Sequence, residues 1–500
     1  MYLLGLDIGT SGCKSFLYSP EGEIISSSYH EYTIRHPKPT WSELEPTEVL
    51  SHILATIRES VGKAKIDPKE VQAISISALG DEIMPVDKNL NFCYPTLLLY
   101  DQRAAKQMVE IPEKIGTSKL EEITGSPRAR FIISNIMWLK EEMPEVYKKA
   151  AKLIGWHEYV VWKLCGKPVI DPSLAQATGV FDRRSYRWSN EVLDVLGLDA
   201  DLMPEIQLAG TAVGEVTSEA SKETGLTRGT AVVVGAHDTP DCSALGAGVV
   251  YENLAMDLTG TFENVTTVVP KDTKEQVRTL CWGINKTSSI YISGVGGLSS
   301  SGSVFKWYKD TFSQDEIAEA SQTGRDVYDI LTAKAAQSPP GSNNLLVIPD
   351  FTGRNTRGAI IGLTLGHRKN DIIRAFLEGI TFQIRIGLEN AGERAARITE
   401  IRAVGGGGKS PFWVQLKADI YKKKMVTPAV LEAGSLGAAI LAGIGVGVFK
   451  DAFDGVNRTY KQKTAYYPNE ETSKIYDRHF KAYKRLRQAM DPAFKDVITI

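Results

Sequence analysis

Apolar residues come in short runs broken by polar turns. YLLGLDIG (2–9) and SFLYSP (15–20) alternate as strands do, and the polar turn between them carries Gly9 and Gly12. EPTEVLSHILATIRESVGKA (45–64) has the spacing of an amphipathic helix, with Thr47 as its expected cap. VQAISISA (71–78) and TAVVVGAHD (230–238) are apolar enough to be buried strands, the second ending in polar residues. At 253 the pattern restarts: NLAMDLTGTFENVTTVVP (253–270) predicts a second hairpin. The stretch 370–398 keeps helical periodicity over many turns, and EIRAVGGGGKSPFWVQLKADIY (400–421) predicts strand, glycine turn and helix. SLGAAILAGIGVGVF (435–449) predicts a buried helix running into a glycine-rich turn.

Strands alternating with helices predict an α/β architecture, and 500 residues exceed one ordinary core. The chain therefore reads as two similar α/β halves, residues 1–248 and 249–500, each opening on an Asp-bearing hairpin, with a charged helical tail from about 465. Lys and Arg total 58 against 60 Asp and Glu, a formal charge of −2, so bulk charge points to no nucleic-acid partner. Five scattered cysteines without a CxxC pair fit a reducing compartment. The uncharged stretch 435–449 falls short of a membrane span of about 20 residues. With no basic region ahead of the first apolar run, the reading is a cytoplasmic protein without membrane attachment.

Chemistry concentrates at the turns. In each hairpin an Asp (Asp7, Asp257) precedes Gly, Ser or Thr residues, whose N–H and hydroxyl groups suit phosphate oxygens. A carboxylate beside them suits hydrated Mg²⁺. One such hairpin could be a structural turn; two, one per half, point to a nucleotide held between lobes. AVGGGGKSPFW (403–413) approaches a Walker A loop, but Ala403 stands where glycine is needed and Pro411 follows the serine. Its four glycines still admit a flat group or a phosphate. Asp238, beyond the 230–237 strand, is placed to take a proton from a hydroxyl, although alone it reads as a solvated loop acid. Gly80, Asp81 and Glu82 follow another strand and could bind hydroxyls. The seven histidines are dispersed, which predicts no histidine metal cluster.

Together these segments resemble the FGGY carbohydrate kinases, from residue 3 to about 450. LGLDIGTSGCKSFLY is similar to the family's opening phosphate hairpin, TWSELEP (40–46) to its Trp-x-Glu-x-x-Pro segment, and DPSLAQATGVFDRRSYRW (171–188) to its Asp-x-Ser-x-Ala segment. GAIIGLTLGHRKNDIIRAFLEG (358–379) resembles the C-terminal signature, and GGGGKSPFWVQLKADI with EAGSLGAAILA (432–442) resembles the adenosine-side loop and following helix.

The resemblance implies two actin/hexokinase-type (ribonuclease H-like) lobes around a cleft, ATP with Mg²⁺, and a small sugar or polyol as substrate. It implies Asp238 as general base, and Asp7 with Asp238 as the carboxylates facing the metal. Thr10, Ser11, Gly260 and Thr261 would surround the β- and γ-phosphates, with Lys14 approaching them. Gly406, Gly407 and Lys409 would lie on the adenosine side. Gly80, Asp81, Glu82, Asp101 and Asp238 would face the sugar. A homodimer is a further expectation of the family. Departures fall in the sugar half. Xylulokinases carry Met-His-Gly where this chain has Ala78-Leu79-Gly80, glycerol kinases carry Arg-Glu where it has Gly80-Asp81, and Tyr100 precedes Asp101 where Trp is usual. The expected reaction is phosphorylation of a ketose, xylulose-like, or of a glycerol- or erythritol-type polyol. A non-catalytic sugar or nucleotide sensor, or an ATPase of the chaperone or actin kind, are the other classes this fold allows.

Overall fold

The first alternating runs pair as their pattern requires. In the computed structural model, Tyr2–Ile8 (β1) and Gly12–Tyr18 (β2) form an antiparallel hairpin that Ile24–Glu31 (β3) continues. On the other side of β1, Val71–Ala78 and then Ala231–His237 run parallel, and Ala212–Glu215 closes the edge antiparallel. These parallel strands are almost wholly buried, as a strand covered on both faces must be. Helix Pro46–Lys63 (α1) packs on β2 and β3. It begins one residue before the expected cap. Pro46 presets the first turn, Glu45 is the extended residue before it, and Thr47 lies inside the helix.

The structure describes residues 1–99, 101–270, 279–281, 290–298, 301–351 and 357–498; Tyr100 lies outside them. The second sheet repeats the plan of the first. Leu254–Thr259 and Glu263–Pro270 form the hairpin, with Ile290–Leu298 beside it and Thr279–Cys281 paired to that strand. Glu400–Gly405 and Lys424–Pro428 run parallel on the other side, and Gln462–Tyr466 closes the edge antiparallel. The core of this unit gathers Phe376, Phe382, Trp413, Tyr476 and Phe480 from helices Lys369–Asn390, Pro411–Tyr421 and Glu470–Ile498. Among the described residues no helix is long and apolar enough to cross a membrane.

The chain does not divide into two continuous halves at 248. One unit comprises Met1–Val250, Val269–Ser293 and Glu432–Tyr460; the other comprises Tyr251–Val268, Gly294–Leu431 and Lys461–Ile500. Glycine explains the return of 432–460 to the first unit. Helix Ala433–Gly445 packs on β1, Val71–Ala78 and Ala231–His237. The approach is so close that a Cβ on Gly5 would lie 1.8 Å from Ser435 O, and one on Gly437 would lie 1.8 Å from Cys242 O. EAGSLGAAILA therefore belongs to the first unit's sheet and not to the second unit.

Candidate active site

Two places in the first unit bring titratable groups to strand ends. Asp238 follows the carboxyl end of Ala231–His237. Its Oδ1 accepts from His237 Nδ1 at 2.9 Å and from the Thr239 backbone N–H. The His237 backbone N–H donates to Ser173 Oγ at 3.1 Å, and the Ser173 hydroxyl donates to Asp171, which caps helix Pro172–Ala177. The Asp-x-Ser-x-Ala segment thus props the strand end that carries Asp238. Burial works against a charged His237, but the hydrogen bond and charge of Asp238, with Asp81 and Asp241, outweigh it and raise its pKa to about 9. An imidazolium beside Asp238 is the state at neutral pH.

Asp7, near the end of β1, lies opposite Lys14 in the hairpin register. The Ser77 hydroxyl donates to its Oδ1 at 2.7 Å. Burial pushes its pKa up to about 6; Lys14 pulls it down and Asp238 pushes it further up, so Asp7 and Asp238 share one electrostatic neighbourhood. Lys14 is committed to Glu432, Nζ to Oε2 at 2.7 Å, a partner 418 residues away. Half-buried Thr10 and exposed Ser11 sit at the tip of the hairpin, which the Tyr32 hydroxyl pins by donating to Gly9 O and Gly12 O. Asp7 and Asp238 each keep a second carboxylate oxygen without a partner among the described residues. Those residues include no cluster of three or more His, Cys, Asp or Glu that could hold a metal. Two hard oxygen donors fit Mg²⁺, which dehydrates reluctantly and keeps most of its waters; they do not make a closed cage.

The second unit holds a cavity of 400 Å³. Gly260 and Thr261 from its hairpin and Gly406, Gly407 and Lys409 from the glycine loop all line it. The loop leaves its strand through Gly405 at φ +72° and makes a 3₁₀ turn over Gly406–Lys409. Ser410 then caps helix Pro411–Tyr421. A Cβ on Gly407 would lie 2.6 Å from Thr259 Cβ, so glycine is required where loop and hairpin touch. Ala403 lies in the strand and Pro411 opens the helix, which is not Walker A geometry. Ser303, Lys306 and Asp329 also line the cavity. No motif marks them, because they arrive from helices Ser301–Phe312 and Val327–Ala335.

The profile of the FGGY family of carbohydrate kinases, N-terminal domain, matches residues 2–246, and that of the C-terminal domain matches 259–446. The chain belongs to this family. It is 30% identical to a gluconokinase of Bacillus subtilis over 486 residues, covering 95% of this chain and 93% of that protein. It is 26% identical to a xylulose kinase of the same organism, covering 97% and 96%. A ligand-bound xylulose kinase structure from Lactobacillus acidophilus superposes with a TM-score of 0.85 at 26% identity, covering 99% of both chains. This FGGY kinase is accordingly an ATP-dependent sugar kinase of the actin/hexokinase-type α/β fold, working with ATP and Mg²⁺ on a small-molecule sugar or polyol.

In this FGGY kinase the residues named for the sugar do not all come together. Gly80 lies against the His237 ring, where a Cβ would meet Cδ2 at 2.3 Å, and Asp81 acts on His237 by charge. Glu82 is buried; its Oε1 accepts from the Trp156 N–H at 3.0 Å, and burial raises its pKa well above the usual range. With Gly80, His157 and Glu158 it lines a cavity of 20 Å³, room for one water. Asp101 is spent on structure. It accepts from Arg103 Nε and from the Ser42 N–H, each at 2.7 Å. The Arg103 guanidinium also binds Glu43 at 2.8 Å and stacks 3.9 Å from the Trp41 ring. The Trp-x-Glu-x-x-Pro segment is thereby explained: Trp41 and Glu43 hold Arg103, and Pro46 starts α1.

Proposed function

We propose that this kinase phosphorylates a hydroxyl of a neutral ketose, xylulose-like, with a polyol of the glycerol or erythritol kind as the next best substrate. One observation carries this choice over an aldonate such as gluconate: the surroundings of Asp238 are acidic. Asp81 and Asp238 both act by charge on His237, the cation between them. A substrate carboxylate would meet like charge there, whereas sugar hydroxyls can donate to those oxygens.

In the proposed reaction the substrate hydroxyl gives its proton to the Asp238 carboxylate as its oxygen forms a bond to the γ-phosphorus. The bond to the β-bridging oxygen breaks and ADP leaves. His237 and the Thr239 N–H orient Asp238 and leave its second oxygen for the proton. Thr10, Ser11, Gly260 and Thr261 offer hydroxyl and backbone N–H groups to phosphate oxygens. Asp7 and Asp238 would hold Mg²⁺ through water, and the ion supplies charge neutralisation on the phosphates. Gly406, Gly407 and Lys409 line the nucleoside end.

The test is ADP release from Mg²⁺-ATP with ketopentoses, ketohexoses, polyols and gluconate offered in parallel. A ketose is expected to turn over best, and Asp238→Asn to lower its kcat by about 10²–10⁴-fold. Faster turnover of gluconate than of any ketose would reverse the substrate choice. Near wild-type turnover by Asp238→Asn would remove the base.

A further inference from the structure

Beneath the second hairpin lies a buried cation with no counterpart in the proposed mechanism. Lys417, on helix Pro411–Tyr421, is 1% exposed. Its ammonium lies 2.9 Å from Asp257 Oδ2, 2.8 Å from Glu263 Oε1 and 2.6 Å from Thr259 Oγ1. Glu263 in turn accepts from the Ser301 hydroxyl at the start of helix Ser301–Phe312. The next two residues of that helix hold the turn: Gly302 N–H donates to Gly260 O at 3.1 Å and Ser303 N–H to Thr261 O at 3.3 Å. Gly407, from the loop just before the lysine's own helix, packs on Thr259. One ammonium therefore ties the hairpin, the 301–312 helix and the helix after the glycine loop, and all three contribute walls to the 400 Å³ cavity.

Stability gives little reason for this arrangement, since apolar residues of similar volume usually serve a core as well as a buried ion cluster does. A polyphosphate site gives a specific one. Asp257 and Glu263 lie directly under the turn that would take phosphate oxygens, and without the ammonium two carboxylates would face a polyanion. We propose that Lys417 is a positioning residue for the nucleotide. It fixes the Thr259–Thr261 turn from below and cancels the acidity beneath it. This rests on the reading of the cavity as the nucleotide site.

Binding of a non-hydrolysable ATP analogue with Mg²⁺, followed by calorimetry without sugar, tests it independently of the sugar's identity. Thr259→Val removes the hydroxyl that Lys417 holds and leaves every charge in place, so folding is not at risk from a bare ion. It is expected to weaken the analogue at least fivefold, with Thr259→Ser retaining wild-type affinity. Lys417→Met combined with Glu263→Gln removes one charge of each sign and should weaken binding more than tenfold. Wild-type affinity in both Thr259→Val and the double variant, with only the thermal midpoint lowered, would show a merely structural lysine and overturn the proposal. Gly406→Phe fills the cavity from a position where a Cβ would make only an ordinary contact, 3.7 Å from Thr259 O. If that variant bound the analogue normally, the cavity would not be the nucleotide site, and the underlying reading would fail with the proposal.

Discussion

At the scale of single residues, the chemistry turns on how a carboxylate is held. Asp238 is braced by an imidazolium whose pKa, near 9, lies above the 6.5 of an unstrained histidine. The sign follows. The folded state favours the protonated ring, so the pair's contribution to stability is complete below pH 6.5 and is lost as pH rises through about 9. The gap in thermal midpoint between wild type and His237→Gln is expected to be widest near pH 6 and to close by pH 10; a gap independent of pH would exclude the ion pair. Residues that sit at strand ends, such as Asp7, Asp238 and the glycines at 405–408, could be picked out from the sequence because punctuation marks them. Lys14 with Glu432, Lys417 with Asp257, and Asp101 with Arg103 could not. Two of those pairs join residues far apart in the chain, and in the third a candidate ligand is neutralised by a neighbour that spacing alone does not orient.

Elements show the same division. Both hairpins, the parallel strands Val71–Ala78, Ala231–His237 and Glu400–Gly405, and the long helix Lys369–Asn390 follow from apolar periodicity, which is a local property. What periodicity hides is that the two hairpins are chemically unlike. Asp7 keeps an oxygen for a ligand, whereas Asp257 is sealed under a lysine. The small residues of helix Ala433–Gly445 are read as a buried helix without revealing which sheet they touch. Their function is close approach, and that sets a prediction. Gly5→Ala would place a methyl 1.8 Å from Ser435 O, so strand and helix must part. Denaturant unfolding is expected to show a loss of about 1–3 kcal/mol or more, while Gly62→Ala, with open space around it, should cost nothing measurable.

For the molecule as a whole, the path of the chain matters more than its midpoint. The chain passes from one unit to the other after residues 250, 268, 293, 431 and 460. A sequence read from left to right suggests halves because the restart at 253 is visible and the return at 432 is not. A fragment ending at Val250 would leave bare the strands that helix Ala433–Gly445 covers. Such a fragment, residues 1–250, is expected to unfold without a cooperative transition by circular dichroism; a sharp transition would show that the first unit needs no later segment.

The sealed hairpin also bears on how such a chain can change over time. A lysine buried with its acids is tolerable, but Asp257 and Glu263 without the lysine are bare charges in a core. Loss of Lys417 alone would strand both Asp257 and Glu263, so lineages descended from this sequence should keep the lysine with its acids or exchange all three together. No such linkage binds Thr10 and Ser11, which sit at the tip of a turn and can drift one at a time as far as their ligand permits.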